Sequence, residues 1–248
     1  MQKKSWRQRI RQLGIRAAWI SVILVVIAGP GHRFGILPVK AAIYTFAASA
    51  LIAALAVLLL IVAAIMKRSD GDAGWTGHLI ALVLAGAIAV QFGLGVSKAR
   101  AVPPIHDITT DTVDPPEFKA LAGARAGSPN PIEYAGQAVA EQQRDAYPDI
   151  QTIRLAQTPK AVLDAAESAA GAQGWTVVRI DADNQLEATA TTSYFGFKDD
   201  VIVRARSDGS GTVLDIRSKS RVGISDVGAN AARIRLLRDN IQNILSAQ

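Results

Sequence analysis

The stretch that decides the fold of the C-terminal part is TVLDIRSKSRVGISDVGANAARIRLLRDNIQNIL, residues 212–245. Its beginning alternates apolar and polar residues, which is the pattern of a β-strand with two different faces. Its end places apolar residues every three or four positions, which is the pattern of one helix face. We therefore predict a strand over 212–222 and a helix over 226–246, with Ser225 or Asp226 as the helix cap.

The residues before this stretch extend the same sheet. We predict strands over 149–155, 175–181, 185–195 and 200–207 and a helix over 158–174. The sequence DGSG, residues 208–211, is the predicted turn between the strand over 200–207 and the strand over 212–222. The resulting order, β-α-β-β-β-β-α, is typical of an α+β domain in which two amphipathic helices pack on an antiparallel sheet. A sheet curved around the long last helix would resemble a small helix-grip fold with an apolar pocket between them.

The first hundred residues have a different composition. Apolar runs occupy residues 16–31, 42–66 and 77–97, and the second run is 25 residues long without a charge. At about 1.5 Å per residue a helix of that length crosses a hydrocarbon core of roughly 30 Å. We predict about three transmembrane helices; the first run is the shortest, so whether it crosses the membrane stays open.

The chain therefore divides into three predicted parts. Residues 1–100 form a membrane domain, residues 101–148 a Pro- and Ala-rich acidic linker, and residues 149–248 the α+β domain. We expect a short helix within the linker, over 133–145.

The charges of these parts differ in sign. Residues 1–100 hold 12 Lys and Arg against 2 acidic residues, whereas residues 101–248 hold 15 against 19. The high isoelectric point therefore comes from the membrane part, and we expect no nucleic-acid partner.

The N-terminal cations also predict the orientation of the chain. They favour a cytoplasmic N-terminus, and three crossings then place the C-terminal domain in the periplasm, with the chain in a bacterial inner membrane. Lys98 and Arg100 would lie on the outer side, which weakens this prediction. With two crossings the domain would be cytoplasmic.

Residues in the linker and at the start of the strand predicted over 200–207 suggest metal or acid–base chemistry. The chain has no cysteine, which excludes disulfides, thiolate nucleophiles and Cys-ligated zinc. Imidazole and carboxylate groups remain, and they bind hard or borderline metals and activate water. Six such residues stand out: His106, Asp107, Asp111, Asp114, Asp199 and Asp200. Asp and Thr also cap turns without further function, so both interpretations stay open.

A row of cations suggests a different site. Alternate residues of a strand share a face, so Arg204 and Arg206 would form one outer basic stripe with Arg217, Lys219 and Arg221. A helix N-terminus beside cations favours anions. The predicted ligand or partner site contains Arg217, Lys219, Arg221, Ser225, Asp226, Asn230, Arg233 and Arg204. In the alternative, the cations pair with Asp199, Asp200, Asp215 and Asp226 as part of the structure.

Four separated motifs resemble a known family. They are PPIHDITTD…DPPEF at 103–118, AYPDI at 146–150, FGFKDDVIVR at 195–204 and DIRSKSRVGISDVGANAARI at 215–234. Together they resemble the domain of unknown function family numbered 1499, over about residues 103–246. The resemblance implies no activity. Beyond the residues already named, it marks Tyr147, Pro148, Asp215, Ser218, Ser220, Gly223 and Gly228, which could form one site or one buried hydrogen-bond network.

These observations lead to three hypotheses of function. The first is a membrane-anchored binding or assembly module for an anionic ligand, a membrane lipid or another membrane or periplasmic protein. The second is a metal-dependent or acid–base hydrolase that uses the His/Asp residues. The third is a structural subunit of a membrane complex. Without a nucleophile motif the sequence favours the first over an enzyme, and it names no cofactor.

Overall fold

The computed structural model describes residues 5–66, 75–180 and 184–247. The chain separates into two compact units, one of residues 1–97 with 193–196 and one of residues 98–192 with 197–248. The Lys67 and Arg68 pair and most of the turn at 181–184 lie outside the described residues.

Three long helices make up most of the first unit. They are α1 (Trp6–Arg33), α2 (Val39–Ile65) and α3 (Trp75–Arg100), and each is long and apolar enough to cross a membrane. The prediction of three such helices is confirmed. The first helix begins well before residue 16, because Ser5 caps it and accepts from the Gln8 backbone N–H.

Close packing within this unit depends on small residues. A Cβ atom on Gly14 would lie 2.9 Å from the Leu60 side chain, so α1 and α2 approach closely there. Gly86 and Gly93 of α3 face open space.

The second unit is built on one antiparallel sheet. Its strands are β1 (Asp107–Thr109), β2 (Ile153–Leu155), β3 (Thr176–Ile180), β4 (Gln185–Thr191), β5 (Lys198–Ser207) and β6 (Thr212–Ser220). The strand order is β1-β6-β5-β4-β3, and β2 also pairs with β6. Its helices are α4 (Ala122–Arg125), α5 (Gln137–Ala146), α6 (Pro159–Ala172) and α7 (Ala229–Ser246). The predicted α+β architecture is confirmed.

Several bounds differ from the prediction: β2 begins at Ile153 rather than 149, β4 ends at Thr191 rather than 195, and α5 covers Gln137–Ala146 rather than 133–145. Two further differences affect the site. The strand β1 lies inside the expected linker and pairs antiparallel with β6, with Asp107 opposite Lys219. The helix α7 begins at Ala229 rather than 226, because Val227 and Gly228 adopt φ values of 55° and 77° and form a turn.

The two faces of the sheet are covered differently. The helix face packs on α6 and α7, and its core includes Leu186, Val203, Ile216, Ile234 and Leu237. These side chains fill the centre of the space between α7 and the sheet. Residues 110–134 cover the opposite face of the sheet. We call these residues the strap and the face that they cover the strap face.

Candidate functional site

The basic residues share one face of the sheet, as their alternation predicts. In the register of β5 and β6, Arg204 lies opposite Asp215 and Ile202 opposite Arg217, so all of them point to the strap face. The prediction that the stripe is an outer surface is wrong for its central members. Arg217 and Lys219 are each only 1% exposed, because the strap covers them.

Asp107 neutralises the centre of the stripe. Its two carboxylate oxygens accept from Arg217 Nε and Nη2, both at 2.9 Å, and its Oδ2 lies 2.9 Å from Lys219 Nζ. One carboxylate thus serves two buried cations. Both cations also donate to backbone carbonyl oxygens of the strap. Arg217 donates to those of Pro116 and Ile132, and Lys219 donates to that of Glu133.

Aromatic rings complete the enclosure of Arg217. Its guanidinium lies 5.2 Å from the ring centre of Phe118 and 5.4 Å from that of Tyr134, a cation–π arrangement on both sides. Burial, with the nearby Asp107 charge, raises the pKa of Tyr134 to about 12. Burial also lowers the pKa of Lys219, against the attraction of Asp107.

A second buried cluster surrounds Asp200. Arg221 donates to both of its oxygens at 2.8 Å, and Arg125 of the strap donates at 2.6 Å. Burial alone would raise the pKa of Asp200, but the hydrogen bonds from Arg221 and Thr189 outweigh it and hold that pKa below its ordinary value. Asp200 is therefore held as an anion between Arg221 and Arg125.

A third cluster lies at the other end of the stripe. Arg204 and Arg206 both approach Asp215, at 3.1 and 2.8 Å, and both also contact Asp111 and Asp114. The strap carboxylates therefore neutralise these cations. The alternative of an ion-paired structure describes the whole stripe, although Asp107 replaces Asp199 and Asp226 as the main partner.

Glu187 of β4 anchors the strap, and the sequence reading missed it. This fully buried carboxylate accepts from the backbone N–H groups of Lys119, Ala120 and Leu121, at 2.6, 3.0 and 2.8 Å. Its alternation with the buried Leu186 and Ala188 was the available signal, since a charge in the middle of a strand needs a partner.

A polar network joins the start of α7 to the sheet. Asp226 accepts from the backbone N–H groups of Gly228 and Asn230, at 2.8 and 2.7 Å, so its carboxylate satisfies a free N–H of the first turn of α7. The N-cap residue itself is Gly228, so the prediction of Ser225 or Asp226 as the cap is wrong. Burial raises the pKa of Asp226 despite these hydrogen bonds. Ser225 Oγ accepts from the Val227 N–H at 3.1 Å.

Asn230 and Arg233 belong to the same network. The Asn230 amide donates to His106 O and Ser220 Oγ, both at 3.0 Å. Arg233 donates to Ser218 Oγ at 3.0 Å and to Asp199 Oδ2 at 2.6 Å.

The structure separates the residues of the predicted metal site. His106 contacts the Ile224 carbonyl oxygen through Nδ1 at 3.3 Å, while the five aspartates each belong to one of the ion pairs described above. Over residues 5–66, 75–180 and 184–247, no group of three or more His, Asp or Glu side chains could hold a metal ion. Within the described residues, this geometry gives the metal-dependent form of the hydrolase hypothesis no ligand cluster.

The sequence of the second unit matches a family model. The model describes a protein of unknown function, DUF1499, and it matches residues 107–241, which is more than half of the 248 residues. The chain belongs to this family. A comparison with curated proteins found no match. The family match includes both strands that carry the buried cations and the whole strap.

An open cleft lies beside α7, on the helix side of the sheet. Its volume is about 390 Å³. Residues from β4, from α7, from the connection between α6 and β3 and from the position after β4 line it: Gln173, Gly174, Trp175, Ala190, Thr191, Thr192, Ala229, Ala232, Arg233 and Leu236. Of the predicted ligand residues, Arg233 lies in its wall, whereas Arg217 and Lys219 lie under the strap.

Proposed function

We propose that the protein is a membrane-anchored binding module whose recognition surface is the cleft beside α7 rather than the basic strand. The observation that carries this proposal is a difference in solvent exposure between the basic strand and the cleft. Arg217 and Lys219 are 1% exposed and already paired with Asp107, whereas Leu236 at the cleft is 50% exposed. An exposed apolar side chain in a concave surface is a common feature of ligand and partner sites.

The charge arrangement supports the same choice. A ligand for the basic strand would have to displace the strap, whose carbonyl oxygens of Pro116, Ile132 and Glu133 accept from Arg217 and Lys219. It would also have to compete with Asp107 for both cations, which is costly for buried charges. The cleft needs no such rearrangement.

The proposal includes an orientation. Three membrane-crossing helices and a cation-rich start favour a cytoplasmic N-terminus and a periplasmic second unit, in the inner membrane of a bacterium. Since the chain has no cysteine, one introduced thiol reports its own side of the membrane. A membrane-impermeant maleimide applied to intact spheroplasts is expected to label Ser210→Cys, in the exposed β5–β6 turn, and not Ser5→Cys. The reverse pattern would contradict the orientation.

Native co-purification tests the recognition surface. The full-length protein is extracted in mild detergent, and bound proteins and lipids are identified by mass spectrometry. We expect a stoichiometric companion that Leu236→Asp loses and Val178→Asp keeps. Val178 is a matched control because it is 41% exposed and points to the strap face. A companion retained equally by both variants would exclude the cleft.

One observation favours a second function, that of a structural subunit of a membrane complex. Only 11% of the most apolar 18-residue part of α3 is buried among the described residues. A Cβ atom added at Gly86 or Gly93 would have no neighbour within 4 Å. Small residues let helices approach closely in membranes. Grafting an unrelated span in place of α3 is expected to abolish complex formation if this function holds, and to leave it intact if the cleft alone recognises the partner.

A further inference from the structure

One end of the second unit lies close to the last turn of α3. Residues 98–100 of that turn belong to the second unit. Ile105 follows Arg100 by five residues, which span at most about 18 Å even when fully extended. Ile105 is buried, and its carbonyl oxygen accepts from the Asp226 N–H at 3.1 Å. The chain therefore enters the core of this unit directly after a helix that can cross a membrane.

Three segments meet at this end. The His106 carbonyl oxygen accepts from the Ser220 N–H at 3.0 Å, and Asp199 of β5 lies opposite Ser220 of β6. The turn between β6 and α7 follows at once. We call residues 101–107, 198–200 and 220–228 the α3 end of the second unit.

The turn between β6 and α7 presents an apolar side chain to solvent. Ile224 is 82% exposed, although its carbonyl oxygen lies 3.3 Å from His106 Nδ1. A Cβ atom on Gly228 would lie 3.5 Å from Val102, so the turn is packed beside the residues that follow α3. A single exposed isoleucine is common on protein surfaces and by itself indicates no contact. Its position beside the end of a membrane-crossing helix gives it a specific neighbour, the bilayer.

The unpaired charge at the same end is positive. Lys98, Arg100 and Lys198 are exposed, and none of them forms an ion pair with another residue that the structure describes. Exposed cations elsewhere in this unit do pair, as Arg154 does with Asp208 and Lys160 with Asp164.

The acidic residues of the α3 end do not offset these three cations. They accept from other cations or from backbone N–H groups, and they are Asp107, Asp199, Asp200 and Asp226. A positive surface next to a bilayer attracts anionic lipid head groups.

We propose that the α3 end of the second unit lies on the bilayer that α3 crosses. The Ile224 side chain enters the head-group layer, and Lys98, Arg100 and Lys198 contact the phosphates of anionic lipids. An apolar side chain flanked by cations is the usual composition of a surface that lies in the membrane interface. The proposal depends on α3 crossing the membrane and is independent of the cleft beside α7.

Fluorescence quenching on the full-length protein in lipid nanodiscs tests this contact. The chain has no cysteine, so bimane on Ile224→Cys reports one position. The nanodiscs contain phosphatidylcholine and phosphatidylglycerol, with a nitroxide on the head group or near the top of the acyl chain as quencher.

Val113→Cys is the matched control, because Val113 is also apolar and is 91% exposed. Its N–H donates to Asp111 Oδ1 at 3.0 Å, and Asp111 Oδ2 lies 3.4 Å from Arg206 Nη2. Arg206 is eight residues along β5 from Lys198, which is about 26 Å. The control therefore lies toward the other end of the sheet.

We expect quenching at position 224 to be at least about threefold stronger than at position 113, because a nitroxide quenches only at close approach and β5 separates the two ends by about 26 Å. Lys198→Glu should weaken quenching at position 224 about twofold in nanodiscs that contain phosphatidylglycerol, since it repels the anionic head groups. Lys160→Glu, in the exposed first turn of α6, should leave that quenching unchanged.

Two results would overturn the bilayer contact. The first is equal quenching at positions 224 and 113. The second is a blue-shifted bimane emission at position 224 that neither labelled lipid quenches, which would place Ile224 against a protein partner. Equal effects of Lys198→Glu and Lys160→Glu would contradict the role of the cations.

Discussion

Asp107 and Arg217 form two parallel hydrogen bonds of 2.9 Å, with their side chains only 1% and 2% exposed. Their positions are 110 residues apart in the sequence, on β1 and β6. The pair therefore fastens the segment that follows α3 to the strand β6. Removing Asp107 would leave two buried cations, Arg217 and Lys219, without compensation.

The first prediction concerns this pair. Asp107→Asn is expected to lower the free energy of unfolding by about 3–5 kcal/mol, because the buried cations Arg217 and Lys219 then share no anion. Arg154→Met is the control, since Arg154 pairs with Asp208 while its side chain is 74% exposed. Its expected cost is below about 1 kcal/mol. Protease cleavage of the full-length protein across a urea series measures both, and equal costs would contradict the structural role.

The second prediction concerns the anchor of the strap. Glu187→Gln removes the charge and one acceptor from three backbone N–H groups, and is expected to cost about 2 kcal/mol or more. Hydrogen exchange of residues 119–121 should accelerate in this variant.

Glu167→Gln provides the comparison for Glu187. Glu167 is 49% exposed in its side chain and pairs with Arg179 at 3.1 Å. Hydrogen exchange of the strap in the Glu167→Gln variant should equal that in the wild type. Unchanged exchange at 119–121 in Glu187→Gln would exclude the anchoring role.

The third prediction is a pH dependence at the start of α7. Burial raises the folded-state pKa of Asp226 above the ordinary 3.8, with the Asp199 charge as a further cause and hydrogen bonds from Asn230 and Gly228 opposing it. Between these two values the folded state binds more protons than the unfolded state. The contribution of Asp226 to stability is therefore fully present below pH 3.8 and is lost as the pH rises through the raised pKa of the folded state.

Asp226→Asn isolates this contribution. The difference in unfolding free energy between wild type and variant should shrink as the pH rises from about 4 to 7. Urea unfolding at several pH values measures it. A difference that grows with pH would show that the pKa of Asp226 is lowered instead.

The fourth prediction uses two glycines with opposite outcomes. A Cβ atom on Gly211 would lie 2.1 Å from the Leu155 carbonyl oxygen, so Gly211→Ala must push β2 away from β6. We expect a cost of about 1–3 kcal/mol. Gly171 lies in α6 with nothing within 4 Å of the added atom, and Gly171→Ala should stabilise by about 0.5–1 kcal/mol. Thermal unfolding of the two variants in one buffer compares them, and shifts of the same sign would contradict the account.

Periodicity in the sequence predicted the elements that are long enough to show it. The alternation of residues 212–220 and the helical spacing of Ile234, Leu237 and Ile241 identified β6 and α7, and alternation also placed Arg204 and Arg217 on one face. These patterns are local, so they needed no knowledge of distant contacts.

What covers that face could not be predicted in the same way. The strand β1 has three residues, too few for a period, and its pairing with β6 crosses more than 100 residues of chain. The sequence predicts that Arg217 pairs with an acidic residue nearby in the chain, whereas in the structure it pairs with Asp107. Glu187 and Arg125 were missed because their roles depend on the same long-range packing of the strap.

The central claim is that the strap covers the basic strand, and the reactivity of one amine tests it most directly. An amine-reactive ester is applied to the native full-length protein, and the modified lysines are quantified by mass spectrometry over time. Lys219, 1% exposed and paired with Asp107, is expected to react at least about 100-fold more slowly than Lys160, whose side chain is 80% exposed, because it must wait for a local opening. Modification of Lys219 at a rate close to that of Lys160 would show that the strand is open to solvent and would contradict the account.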